Sequence, residues 1–315
     1  MRTTAALLVF TLLSIASCRR SSTTTTIAAD DAVAKPPPPV QAGLFDLLPP
    51  IPPAAVGLAS YRSNAIGLVR YTRANFALPT CFDAEVAKVD VFFQISVRSP
   101  VTTIQAAHGK LHRDTFEMCM KEVVERILPE PAKWEREGQL TKVTLGSREP
   151  QYLGYAADGW IGWDKERATI EAWLAAKPVP TEALAPLVER GKQVKRAAAV
   201  SLFALDISGP VLGIPSRGGF FVIDESVVGQ DAAGKPMLAT VIYDSPDDAV
   251  RAAKAVSAAA VNPSKPEALR KALAATNPTA QGAELVFDVA PFMSNLDAMR
   301  EATLELAKVP GAALP

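Results

Sequence analysis

The hydrophobic positions of this chain fall into short alternating runs and longer helical stripes, punctuated by proline, glycine and paired acids. Residues 66–72, 88–97 and 101–107 are rich in valine, isoleucine and phenylalanine and bounded by Pro79 and Ser99-Pro100, which predicts three strands. Asp114 then stands three residues before Glu117 at the head of a stripe made by Phe116, Cys119, Met120, Val123 and Ile127. That spacing predicts a capped helix stopped by Pro129. Residues 140–145 and 151–156 read as strands, and Asp158-Gly159 is a turn signal returning the chain through residues 160–163. Ile170, Trp173 and Leu174 share a face of a helix over residues 166–176, and a second helix over 182–190 is expected to end at Gly191.

The same order then recurs. Residues 198–207, 219–227 and 237–243 read as strands, and Ser245-Pro246-Asp247-Asp248 is a helix start with cap, proline and acids in place. That helix is expected to reach Val261, followed by another over 266–276 and a strand over 283–289. Ser294 and Asp297 open a last helix on which Leu296, Met299, Thr303, Leu304 and Ala307 face inward. Three strands, helix, strand and helix, repeated, predict an α+β fold of mixed or antiparallel sheets with helices on one face. Two similar tandem subdomains, residues 54–178 and 198–315, would be joined by a connecting helix in 179–197; one continuous sheet is the alternative.

Ahead of this body the pattern changes. Arg2 precedes a low-polarity run from Ala5 to Ile15, and Ile15-Ala16-Ser17-Cys18 closes it with small residues before a cysteine. The run is shorter than the roughly 20 residues that span a bilayer, which is the layout of a signal peptide over residues 1–17. With a cysteine at the expected cleavage site it resembles the lipobox of bacterial lipoproteins. The resemblance covers the first eighteen residues and implies cleavage before Cys18, acylation of Cys18 with three chains, and stable membrane attachment. Arg19 follows where many lipoproteins of the inner membrane carry aspartate, so the resemblance implies the outer membrane. Residues 18–53 then read as a tether, with Ser21-Ser22 and Thr23 to Thr26, then Pro36 to Pro39, Pro49-Pro50 and Pro52-Pro53. Leu44-Phe45-Asp46-Leu47-Leu48 interrupts it, either as the first element docked on the body or as a recognition segment.

Charge removes one class of partner. The chain holds 33 basic and 33 acidic residues, and loss of Arg2 with the signal peptide leaves 33 − 1 = 32 against 33. A neutral chain lacks the field that gathers phosphates, so nucleic acid is not an expected partner. Three cysteines are an odd number, but lipidation of Cys18 leaves the pair Cys81 and Cys119. Beyond the inner membrane these can form a disulfide; two buried thiols are the other reading.

Candidate chemistry is sparse. His108 and His112 are the only histidines, four apart and just ahead of Asp114. Imidazoles and a carboxylate can hold zinc, but Gly109 between them spoils the helical spacing. Tyr152, Tyr155, Trp160 and Trp163 gather on one hairpin, where a binding platform is conceivable. Trp160 and Trp163 differ by three, so one should be core and one surface. Ser216, between Gly213 and Gly218, lacks the preceding glycine of a nucleophile elbow. Gly229 to Lys235 has P-loop spacing but Pro236 stands where serine or threonine belongs, which leaves a polar turn. No cofactor is expected. The function so expected is non-catalytic: a lipid-anchored envelope protein binding a protein partner or serving an envelope assembly. A periplasmic hydrolase or metal-binding protein using His108 and His112 is the first alternative, and a carrier of small apolar ligands the second.

Overall fold

The computed structural model describes residues 43–62, 79–98, 102–127, 131–194, 197–206, 208–224, 237–293, 297–298 and 301. The signal peptide, the tether up to residue 42, the strand expected over 66–72, the turn over 229–235 and most of the last helix lie outside the described residues.

Twelve strands among the described residues join into one sheet in which every pair is antiparallel. They are β1 (Ala55–Arg62), β2 (Val89–Val97), β3 (Thr102–Gly109), β4 (Ala132–Glu137), β5 (Leu140–Leu145) and β6 (Gln151–Tyr155). The others are β7 (Trp160–Asp164), β8 (Ala197–Phe203), β9 (Gly218–Asp224), β10 (Leu238–Ile242), β11 (Thr279–Gln281) and β12 (Glu284–Asp288). Their spatial order is β11-β12-β10-β9-β8-β1-β2-β3-β7-β6-β5-β4. The chain is therefore α+β, and the sheet is continuous across both halves through the β1–β8 pair, with Leu58 opposite Leu202 and Ser60 opposite Val200.

Outward from that central pair the two sides run alike. β1-β2-β3 is answered by β8-β9-β10; a long helix follows, and a hairpin returns beside the third strand, β7 and β6 on one side and β12 and β11 on the other. The β4–β5 hairpin is extra to the first side. The long helices are α2 (Arg113–Ile127) and α6 (Pro246–Val261), after α1 (Thr80–Val86), α3 (Arg167–Ala175), α4 (Ala185–Gln193) and α5 (Gly209–Leu212). α7 (Glu267–Ala275) and α8 (Ala290–Met293) follow.

Helices cover both faces of the sheet, which corrects the expectation of one. Successive strand residues point to opposite faces, and β7 is buried along its whole length, so each face needs a cover. On the first face Leu58, Phe93, Ile95, Ile104, Trp160, Val200 and Leu202 pack with Ile170 and Trp173 of α3 and with Leu187 and Val188 of α4. On the second, Ala107, Val143, Leu153, Ile161 and Trp163 pack with Val124 of α2, while Val241 and Leu285 pack with Ala249 and Ala252 of α6.

The tether ends earlier than its composition suggests. Leu44, Phe45 and Ile51 are buried in the first-face core, so residues 43–53 belong to the body. Phe45 meets Phe93 edge-on at 5.8 Å between ring centres, and the buried Ser60 hydroxyl donates to the Leu44 carbonyl at 2.8 Å. Gly191 does not stop the helix as expected. It lies inside α4 because a Cβ there would stand 2.8 Å from the Phe45 ring. Glycine is kept for close approach, and Lys192 and Gln193 complete the helix.

The cap of α6 is as the sequence predicts, with the Asp248 amide donating to Ser245 Oγ at 3.2 Å. α2 starts earlier, at Arg113, with the His112 carbonyl accepting from the Phe116 amide. Cys119 of α2 is bonded to Cys81 of α1, pinning the short helix to the long one with Cα atoms 5.7 Å apart. Among the described residues no helix is long and apolar enough to cross a membrane.

Gly154 and Gly162 are directly opposite each other on β6 and β7, making a bare shelf on which α3 sits. A Cβ on Gly162 would lie 2.7 Å from the Trp173 ring, and one on Gly154 would lie 2.6 Å from Ile170. Gly162→Ala is expected to destabilise the fold by about 1–3 kcal/mol through overpacking, read from the urea midpoint. An unchanged midpoint would show that α3 does not rest on this shelf.

Candidate functional site

The described residues offer two polar clusters and a histidine, and the geometry of each limits the chemistry available. His108 lies near the end of β3, its Nδ1 3.4 Å from Asp90 Oδ2 and its ring 5.0 Å from that of Trp160. His112 precedes α2, where its carbonyl accepts from the Thr115 hydroxyl at 3.1 Å. Asp114 is in the first helical turn and pairs with Arg136 at 2.6 Å. Among the described residues no three histidine, cysteine or acidic side chains gather in a way that could hold a metal ion. The three candidate ligands are thus placed separately, His108 toward Asp90 and Trp160 and Asp114 toward β4.

The first cluster leaves little trace in the sequence. Glu117, expected to reach back and cap α2, turns inward instead and is 1% exposed. Its Oε1 accepts from Arg113 Nε at 3.1 Å and from the Thr141 hydroxyl at 2.5 Å, and its Oε2 from Arg136 Nε at 2.7 Å. Arg113 also donates to the carbonyls of Gly138 and Leu140 and lies over the Tyr155 ring at 4.6 Å. Burial alone would raise the Glu117 pKa, but the bonds from Thr141, Arg136 and Arg113 outweigh it and hold the carboxyl below its ordinary range. Burial and the neighbouring Glu117 charge push the Tyr155 phenol up. With donors from α2, β4 and β5 converging on one carboxylate, the cluster locks α2 onto β4 and β5. The i,i+4 pair Arg113–Glu117 was its only signal in the sequence.

The second cluster surrounds Ser216. Asp206 Oδ1 accepts from the amides of Ser208, Gly209 and Ser216 at 3.1, 2.7 and 2.9 Å and from the Ser216 hydroxyl at 3.0 Å. Burial opposes the charge, but the Gly209 and Ser216 bonds win and lower the Asp206 pKa. The buried Ser208 and Tyr243 hydroxyls bond at 2.8 Å. A serine bound to a carboxylate needs an imidazole between them to become a nucleophile. Both histidines flank the far side of the sheet; β3 is four strand spacings from β9, roughly 19 Å. The Asp206 group is a loop brace that closes α5 and the approach to β9.

The four hairpin aromatics form no platform. Trp160 and Trp163 do point to opposite faces, but both are buried, 4% and 5% exposed, because helices cover both sides of β7. Tyr152 packs with the first-face core and Tyr155 with the second. The expected split into one core and one surface tryptophan is corrected on that ground.

Glu117→Gln should cost about 2–3 kcal/mol, since it leaves arginine donors facing a neutral acceptor inside the fold. The sign with pH follows from the lowered folded pKa. The carboxylate's contribution is full above the unfolded carboxyl range and lost as pH falls through the folded value. Denaturation from pH 7 downward should show a flatter acid limb for the variant than for the parent; parallel limbs would contradict the role given to Glu117.

No family model matches the chain, and no curated protein matches it. Among solved structures it is similar to TP0453 in its crystal forms I and III, at 8% identity and a TM-score of 0.45 in each. Each alignment covers 81% of this chain and 99% or 98% of the other. At that distance the function rests on this chain's own residues.

Proposed function

We propose that the protein is a non-catalytic lipoprotein of the bacterial envelope, held through acylated Cys18 and serving as a binding or assembly component outside the cytoplasm. The single observation behind this reading is the division of its three cysteines. Cys81 and Cys119 are joined in the body, a bond that persists in oxidising compartments, and Cys18 is left at the end of a short apolar run. The packed body begins at Leu44 and Phe45, so 24 residues, 19 to 42, separate it from Cys18. At about 3.1 Å per residue an extended tether of that length reaches on the order of 75 Å.

Absence of catalysis is supported by how the reactive groups are used. Ser216 is bound to Asp206 with the histidines on the other side of the sheet, and Glu117 is held by Arg113, Arg136 and Thr141. A protein partner is the natural object of a tethered body whose described residues assemble no reaction centre, and Arg19 at the sorting position favours the outer membrane.

Expression of the full chain with Cys18→Ala tests the reading. The parent should fractionate with membranes and carry the added mass of acyl chains, and the variant should be released with the mass of protein alone. Membrane residence unchanged in the variant, or a parent without added mass, would refute the anchor.

A further inference from the structure

We propose that β4 is a self-association edge, pairing antiparallel with β4 of a second copy about a two-fold axis through Trp134. Among the described residues β4 is the last strand on its side of the sheet, and it is paired along all six positions to β5 only. Its outer rim therefore offers main-chain donors and acceptors to another strand.

The hairpin turn shows which groups face outward. Gly138 and Gln139 form a two-residue loop closed by Glu137 opposite Leu140, with Gly138 at φ +62°. In such a turn the carbonyl before the loop accepts from the amide after it, so Glu137 points at β5, and with it Glu135 and Lys133. Ala132, Trp134 and Arg136 then direct their amides and carbonyls away from the sheet. None of these three is proline, so the outer ladder is intact, whereas prolines 129 and 131 lie beyond its end.

Side chains then choose the partner and the register. Exposed edges are normally defended by charged side chains, lysine above all, or by proline. Here the strand carries Lys133 and Arg136 against Glu135 and Glu137, a neutral set. All four charges have partners within the chain: Arg136 with Glu117 and Asp114, Glu137 with Arg167, and Lys133 with Glu135 at 2.7 Å. Centred on Trp134, two antiparallel copies place Lys133 opposite Glu135 of the second copy and Glu135 opposite its Lys133. On the other face the tryptophans meet, and the small Ala132 faces the stem of Arg136. Moving the centre one residue either way sets Lys133 against Lys133 or Glu135 against Glu135, and like charges directly opposite repel. Of these three registers the one on Trp134 is free of that clash. The match is self-complementary, as an isologous two-fold contact requires.

The test is light scattering on the full chain carrying Cys18→Ala, so that no lipid adds to the mass. The parent should pass from monomer to dimer as concentration rises to about 100 µM. Ala132→Pro removes an amide that faces outward, at a residue whose side chain packs on the second-face core, and should weaken the dimer at least tenfold. Lys133→Glu should do the same by setting four acids together, and Lys133→Glu with Glu135→Lys should restore association. Melting at low concentration, where all variants are monomeric, checks that the fold itself is unchanged. A parent that stays monomeric throughout overturns the proposal. So does a dimer indifferent to Lys133→Glu, whatever the proline variant does.

Discussion

The pairing of β1 with β8 is the constraint on which the rest of the structure depends. Among the described residues every other strand reaches the centre through one of these two, and both lie between neighbours, so the pair is the strand seam between the halves. Leu58, Val200 and Leu202 meet across it on the first face, and Ser60 beside them carries the bond to Leu44. The close fit asks for small residues. A Cβ on Gly57 would lie 3.1 Å from the Ser96 side chain and 3.4 Å from the Leu202 carbonyl. The segment from Leu44 to Ile51 and the helix α4 then lie over this junction, and Arg190 of α4 reaches β12 through Glu284. What links the two repeated arrangements is a buried strand pair with a cover, not a hinge.

Polar groups inside the body serve the same end. Glu117 collects two arginines and a threonine from α2, β4 and β5, so the second-face helix is fixed by charge as well as by Val124. Asp206 gathers three amides and a hydroxyl at the mouth of β9. In both clusters the carboxylate is held ionised by donors that surround it, a pattern that anchors secondary structure. The disulfide adds a covalent clamp between α1 and α2.

Much of this was legible in the residues. β5, β6, β7, α3 and α6 follow patterns of period two or 3.6 with local stop signals, and the Ser245 cap is written in four consecutive residues. The unread parts share a cause, which is that tertiary context outweighs local preference. β1 gives half of its eight positions to alanine, glycine and serine, since it is squeezed between β2 and β8, and Val56 and Tyr61 are all it carries of the branched and aromatic residues that mark a strand. β4 carries charges at four of six positions and reads as loop. The segment 43–53 has a linker's prolines, yet Phe45 finds its socket only because Gly191, far along the chain, leaves room for it. Glu117 looked like a capping residue, and only the approach of Arg136 from β4 shows why it turns inward.

Native-state hydrogen exchange, read residue by residue, shows whether one seam holds the two halves in a single sheet. The amides of Leu58, Ser60, Val200 and Leu202 should open only with global unfolding, at the same free energy from both sides of the seam. Exchange of these amides at a lower free energy, while β5 and β12 remain protected, would show instead that the halves part before they unfold.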